Sequence, residues 1–589
     1  VSAFIAAGPA YQVTELLVAA ELPARWAARV IELFGAAAHR LLRDDPWRLL
    51  QVTGVDVPDA DALARVAIAN VQRDDPRRSR ALVGFTLARV ARDGHTVWPA
   101  VEVAQDLQLY RVPDSDAAIA DALATGQVHR VDGDEPGLAL DRYFAAEQLI
   151  AESIHRLIRT ADPIGPTTAK RSRKASGDTG LDETQASAVA NALAHGVSVL
   201  TGGPGTGKSR TVAAVVHAAE RAGRTVALAA PTGRAAKRLA ELCDAEAMTI
   251  HRLLGAQPRS TGEGGEVDFS AGFSRGADWP LDEDLVVVDE ASMLDVELAA
   301  ALLRACADGT HLMFVGDSAQ LPSIGPGQLL ADLIGSGTVP VIELQTLYRQ
   351  DAGGAIARLA TAVRGGALPA VETADREVVV VPARGSADCA HRVVQLMTDS
   401  IPRALGIEPG QIQVVTPVHR GPAGTIALNE ALKARLNPAP FRKQAGRFDP
   451  GDRVVATANH LEVTPTGFAN GEVGTVTAVA GKVITIDFGT DVPALAEVTG
   501  KALADIVHGW AITVHRAQGS EFRAVIVVLP PEAGRMLSRP LVYTGLTRAR
   551  EHLSVVHGAG PALARAVREI GAKPRRTMLA TALAEQATT

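Results

Sequence analysis

Aromatic residues are scarce in this 589-residue chain, only 4% of the total. That limits base stacking as a means of holding a ligand. Cysteine is scarcer still, with Cys243, Cys306 and Cys389 far apart. An odd, scattered set of thiols excludes a disulfide framework and a thiolate metal site, and it fits a reducing cytoplasm. No apolar run approaches the roughly 18 residues that a membrane span needs, so no membrane partner is expected. The opening VSAFIAAGPA has no basic start and is not read as a signal peptide, and the first residue is Val1 rather than Met. Net positive charge is missing too. A formal charge of −7 counts against nucleic-acid binding by the surface at large but leaves room for a local basic groove. No short-period repeat and no nuclease-like carboxylate cluster stands out.

What is present reads as several globular units. Hydrophobic residues make up 47% and charged residues 21% of the chain. At about 100–200 residues per domain, the length suggests three to five domains. Residues 1–160 carry Ala, Leu and Val at helical spacing, cut into short helices at Pro46, Gly54, Pro58 and Pro76. Residues 161–180 hold a Pro/Gly/Ser/Thr-rich stretch with basic residues between Lys170 and Lys174. This is a solvated linker or, alternatively, a DNA-backbone contact. From 181 onward, short β-branched runs alternate with amphipathic helices, the pattern of an α/β fold with parallel sheets. Two α/β halves are expected, 181–345 and then 346–450 with 506–560. A Gly/Ser-rich insertion at 256–284 interrupts the first half. Residues 451–505 alternate in strand fashion around Asn470-Gly471 and Ala480-Gly481 turns, a small β-barrel inserted in the second half. Residues 561–589 close the chain as a helix or tail.

Chemistry concentrates in the first half. GGPGTGKS (202–209) follows an apolar run and precedes a helical segment, the context of a phosphate loop. Gly203, Pro204, Gly205, Thr206 and Gly207 would form the loop, its glycines letting backbone N–H groups curl around phosphate oxygens without a Cβ in the way. Lys208 would meet the β- and γ-phosphates, and Ser209 would ligate Mg²⁺. LVVVDEAS (285–292) ends a buried strand in two carboxylates. Asp289 would hold the magnesium, and Glu290 would orient and deprotonate the attacking water. HLMFVGDSAQLPSIGPG (311–327) is a third strand, ending near Asp317 and Gln320. Its carboxamide could contact both γ-phosphate and water and so distinguish ATP from ADP. Phosphoryl transfer also needs positive charge on the transition state, often an arginine from another lobe. Arg349 in LYRQ and Arg548 in TGLTRAR are the candidates. Tyr348, Trp510 and Phe522 lie close to these motifs, and core packing is the better reading for each.

Nine segments in fixed order carry a family resemblance: LDETQASAV (181–189), GGPGTGKS, APTGRAAKRL (230–239), TIHRLLG (249–255), VVVDEASML, FVGDSAQLPSIGPG, LYRQ, TVHRAQGSEF (513–522) and YTGLTRAREHL (543–553). The set resembles the helicase motifs of superfamily 1 DNA helicases of the RecD type. The resemblance implies two RecA-like lobes with ATP and Mg²⁺ between them, an all-α N-terminal region and an SH3-like insertion at 451–505. It also implies 5′-to-3′ movement on single-stranded DNA, or on duplex with a 5′ overhang, in DNA repair or recombination. By the same resemblance Gln185 reads the adenine edge, Gly519 and Glu521 meet the nucleotide from the second lobe, and Arg349 and Arg548 are arginine fingers. Thr232, Gly233, Thr249, His251, Thr513 and His515 match positions that touch the DNA backbone, and 256–284 takes the place of the strand-separating pin. Residues 41–66 and 74–99 resemble the helix-hairpin-helix region of stand-alone RecD-like helicases, whose further N-terminal β-domain is not expected here. The hairpin carries Gly54 and then Asp56, where the family has a second glycine. A carboxylate at a phosphate-facing turn repels DNA, so these hairpins are expected to be structural. The alternative function is a nucleotide-gated DNA-binding or regulatory subunit of a larger nuclease, repair or defence complex, with little unwinding of its own.

Overall fold

The computed structural model describes residues 2–133, 135–165, 180–256, 272–346, 354–371, 376–438, 447–460, 462–489, 493–571 and 574–586. Arg349, Tyr348, the Lys170–Lys174 run and most of the 256–284 insertion lie outside these residues.

Seven helices, from Ser2–Ala19 to Ser115–Ala124, build the N-terminal region around a core that includes Leu17, Leu42, Trp47, Leu63 and Leu82. The twenty-residue helix Asp141–Thr160 follows them. Gly54, at φ +89°, makes the turn before the helix Val57–Ala67, and Asp56 stands at that helix's N-cap, its N–H donating to Asp59 Oδ2 at 3.1 Å. The region expected to be all-α also holds a three-stranded antiparallel sheet, ordered Val97–Pro99, Gly137–Leu140, Val128–Val131. Its strands are three or four residues long, too short to show an alternating pattern. Gly137 permits the closest approach, since a Cβ there would fall 2.4 Å from Val97 Cγ1.

Lobe 1 is a six-stranded parallel sheet, ordered Ala247–Thr249, Val226–Ala230, Leu285–Val288, His311–Gly316, Val197–Gly202, Val341–Leu344. Its central strands are buried along their whole length, as the near-continuous apolar runs require of a sheet covered on both faces. Lobe 2 is a five-stranded parallel sheet, ordered Val378–Pro382, Ala549–His557, Phe522–Leu529, Ile412–Thr416, Ala511–Thr513.

The inserted segment forms its own five-stranded antiparallel sheet, ordered Leu495–Val498, Val483–Asp487, Val473–Ala480, Arg453–Ala456, Ile506–His508. Gly471 and Gly481 take positive φ at the two expected turns. The unit draws on both sides of 451–505, because Phe448 packs in its core and Ile506–His508 completes its sheet. Its turn also reaches lobe 1: a Cβ on Gly233 would lie 2.6 Å from Ala469 Cβ. The last helix, Leu579–Gln586, leaves lobe 2 and packs on lobe 1 and on the helix Asp141–Thr160. Among the described residues no helix is long and apolar enough to cross a membrane.

Candidate functional site

The strand Val197–Gly202 runs into the phosphate loop, and the helix Lys208–Arg221 leaves it. Gly205 and Gly207 sit at φ +78° and +87°, a region that L side chains avoid, which is why the loop needs glycine there. Thr206 Oγ1 donates to Gly203 O at 2.8 Å and tightens the turn. The Lys208 ammonium donates to Gly202 O at 2.6 Å and Gly203 O at 3.0 Å. A phosphate oxygen would exchange these neutral acceptors for charged ones, a stronger pairing.

One cavity of about 260 Å³ gathers Gly203, Pro204, Gly205, Gly207, Lys208, Ser209, Asp289, Glu290, Gln320, Glu521 and Arg548. Asp289 and Glu290 follow the buried strand Leu285–Val288, and Asp289 Oδ1 accepts from Glu290 N at 2.8 Å. Glu290 takes φ +52°, an uncommon conformation for a side chain of its size, which turns its carboxylate off the strand line. Burial pushes both carboxyls above the usual carboxylate range. Lys208 and Arg238 oppose that shift at Asp289; Arg548, Lys208 and Arg238 oppose it at Glu290. A divalent cation would pull the same way and restore the charged forms.

Arg548 comes from lobe 2 and is 3% exposed. Its Nη2 donates to Gln320 Oε1 of lobe 1 at 2.9 Å, and its Nε to Thr544 O at 2.9 Å. Burial lowers its pKa, while Glu290 and Glu521 favour its charge. Around it the lobes interlock. Tyr543 Oη donates to Asp317 Oδ2 at 2.7 Å, Leu321 N to Thr544 Oγ1 at 2.9 Å, and Gln518 Nε2 to Leu321 O at 2.9 Å. Sequence reasoning assigned no role to Arg238, Tyr543 or Thr544. Arg238 lines the cavity and pairs with Glu521 Oε1 at 2.9 Å across the lobe boundary. All three sit inside recognised motifs, but motif spacing does not say which members face the other lobe.

Gln185 lies off this cavity's lining. It caps the helix Glu183–Ala194 together with Asp182, and its buried Nε2 has no hydrogen-bond partner among the described residues. Gly519 is also off the lining: a Cβ there would meet Ala235 Cβ at 3.3 Å and Thr232 Oγ1 at 3.4 Å, with Glu290 Cγ at 4.0 Å. It therefore stands between Thr232, matched to a DNA contact, and the catalytic candidate Glu290.

The threonines matched to DNA contacts all end strands or start helices. Thr232 Oγ1 accepts from Ala235 N at 3.3 Å, Thr249 Oγ1 from Arg252 N at 3.2 Å, and Thr513 Oγ1 from Arg516 N at 3.3 Å. Thr232 and Thr249 share the carboxyl edge of the lobe 1 sheet, where Ala230 pairs with Thr249. Thr513 lies at the same edge of lobe 2, paired with Thr416. Open α/β sheets bind ligands at that edge. Burial lowers the pKa of both His251 and His515, so each favours the neutral ring. No hydrogen bond joins the lobe 1 set to Thr513 or His515 among the described residues. Trp510 and Phe522 are 4% and 6% exposed, as core packing requires, and the Arg234 guanidinium lies 4.3 Å from the Phe522 ring centroid.

Comparison with known proteins gives three family matches: an AAA domain over residues 180–381, a UvrD-like helicase C-terminal domain over 508–556, and the ATP-dependent RecD2 DNA helicase HHH domain over 8–97. The chain is 36% identical over 554 residues to the ATP-dependent RecD2 DNA helicase of Deinococcus radiodurans, covering 89% of this chain and 71% of that one. It is 33% identical over 536 residues to the RecBCD enzyme subunit RecD of Mycolicibacterium smegmatis, covering 82% and 91%. Among solved structures, the Pif1 helicase from Candida albicans matches 69% of this chain and 99% of its own, at 16% identity and a TM-score of 0.41.

Proposed function

Because the chain belongs to the RecD family of ATP-dependent DNA helicases, we propose that it moves 5′-to-3′ along single-stranded DNA by opening and closing the cleft around Arg548. Its ATP-dependent helicase activity follows from the family. The direction, the residue roles and the metal are the proposal. The observation that carries it is Arg548 of lobe 2 meeting Gln320 of lobe 1 in the cavity that also holds Lys208, Asp289 and Glu290. A γ-phosphate there touches both lobes at once, and its loss removes the bridge.

Ser209 and Asp289 line the same cavity, and two oxygen donors of this kind suit Mg²⁺, which keeps phosphate oxygens and waters as its remaining ligands. The ion would neutralise charge building on the phosphate oxygens. Lys208 and Arg548 stabilise that charge from two sides, Gln320 positions water and γ-phosphate, and Glu290 takes the proton of the attacking water. Arg349 is the second finger, and Gln185, with its unpartnered Nε2, reads the adenine edge. Backbone contacts at Thr232, Gly233, Thr249, His251, Thr513 and His515 hold the strand without reading its bases.

The match of residues 8–97 to the RecD2 HHH domain supports a helicase that acts alone. The match to a RecBCD subunit keeps a second reading in play, a motor that works with nuclease partners. Unwinding of matched 5′- and 3′-tailed duplexes by the purified chain tests the proposal. Unwinding of the 5′-tailed duplex alone is expected. A preference for the 3′ tail overturns the direction, and ATP hydrolysis without unwinding of either favours the subunit reading.

A further inference from the structure

The C-terminal segment 574–586 is attached to lobe 2 but packs elsewhere. Leu579 and Leu583 are 0% exposed, in one core with Ile150, Ile154, Leu330 and Leu333. Met578 N donates to Glu147 Oε2 at 2.8 Å, Thr577 Oγ1 to Asp332 Oδ1 at 3.0 Å, and the amides of Thr96 and Val97 to Arg576 O. The segment thus straps the N-terminal region to lobe 1. From Ile570, which accepts a bond from Arg539 N of lobe 2, to Arg575 is five residues, a reach of at most about 18 Å.

Arg575 heads the strap and does something that packing alone does not require. Its Nη2 donates to Ser323 O at 2.6 Å, and its Nη1 to Ser323 Oγ at 2.9 Å, to Gly325 O at 2.9 Å and to Gly327 O. One planar fork thus draws four acceptors of 323–327 together, three of them sharing the two hydrogens of Nη1, a planar geometry that an ammonium lacks. The third party is the N-terminal region: Gly327 N donates to Gly94 O at 2.9 Å, and a Cβ on Gly94 would fall 2.2 Å from Arg575 Nε. The same loop, a few residues upstream, carries Gln320 and Leu321, the two residues that meet Arg548 and Thr544 of lobe 2.

We propose that Arg575 is a positioning residue for ATP hydrolysis: it holds 323–327, and through that loop Gln320, at the place where Gln320 meets Arg548, and its seat against Gly94 makes the N-terminal region move as one body with lobe 1. This rests on the hydrolysis reading of the Lys208 cavity. Because Gln320 acts on the transition state, losing its support lowers kcat and leaves nucleotide binding in place.

The test is DNA-stimulated ATP turnover by the full chain, with melting temperatures measured alongside. R575A is expected to lower kcat about tenfold with KM for ATP within about twofold of wild type. R575K should recover part of the loss. G94A, which keeps the arginine but displaces it, should change kcat in the same direction. L583A loosens the same strap away from the loop and should lower the melting temperature without that kcat effect. Wild-type kcat in R575A, or equal kcat losses in R575A and L583A at matched loss of melting temperature, overturns the proposal. If the wild type hydrolyses ATP without unwinding DNA, the subunit reading gains while the R575A comparison still reads out. If the wild type unwinds and R575A keeps its kcat, the Arg575 proposal fails alone.

Discussion

Lys208, Glu290 and Arg548 occupy one cavity, and the proposed mechanism assigns them different steps, so their variants should fail differently. Lys208 already turns its ammonium onto the loop carbonyls of Gly202 and Gly203. Lys208→Ala is expected to abolish ATP hydrolysis, and normal DNA-dependent turnover in that variant would sink the site assignment. Glu290→Gln keeps the size of the side chain but removes the proposed base. It should trap ATP with DNA bound, seen as tighter DNA binding with ATP than without; equal affinities would count against coupling. Arg548→Ala leaves Gln320 without its partner from lobe 2. Turnover should fall about a thousandfold, in the range of a lost arginine finger, while ATP still binds. A fall of less than about tenfold would place the transition-state charge elsewhere.

At the scale of elements, the strap that carries Arg575 is held by two acids whose charged forms are disfavoured. Burial pushes the Glu147 carboxyl up to about 8 and the Asp332 carboxyl up to about 6. An acid with a raised folded-state pKa binds its proton more tightly in the folded chain. Its stabilising contribution is therefore full below the unfolded pKa and falls as pH rises toward the folded one. For Glu147 that window runs from about 4.5 to about 8. The melting temperature should drop across it, and Glu147→Gln should flatten the drop and raise the value near pH 8. An unchanged pH profile in the variant would assign the dependence to other groups. Elements also show where local pattern and fold part company. The phosphate-loop strand was legible because Val197, Val199 and Leu200 form a short buried run directly ahead of the glycine loop. The sheet Val97–Pro99, Gly137–Leu140, Val128–Val131 was not, because strands this short borrow their order from neighbours.

For the whole molecule, a net charge of −7 and candidate DNA contacts confined to the carboxyl edges of two sheets imply a local footprint on the strand. Single-strand binding should weaken with salt, by a slope of about −0.7 per neutralised phosphate, and vary little with base sequence. Fluorescence anisotropy on tailless oligonucleotides measures both; strong sequence preference at constant salt would contradict backbone-only recognition. The glycine loop, the buried strands of both parallel sheets and the alternating strands of the insertion were legible in the sequence, although the insertion, expected as a small β-barrel, forms a five-stranded antiparallel sheet. Each depends on local rules: glycine where φ is positive, continuous apolar runs for buried strands, alternation for half-buried ones. Arg238 against Glu521, Tyr543 on Asp317, the turn at Ala469 against Gly233, and the C-terminal strap across two other units were decided only by tertiary structure. These pairs join residues more than two hundred positions apart, and no local propensity encodes which distant partner a side chain will meet.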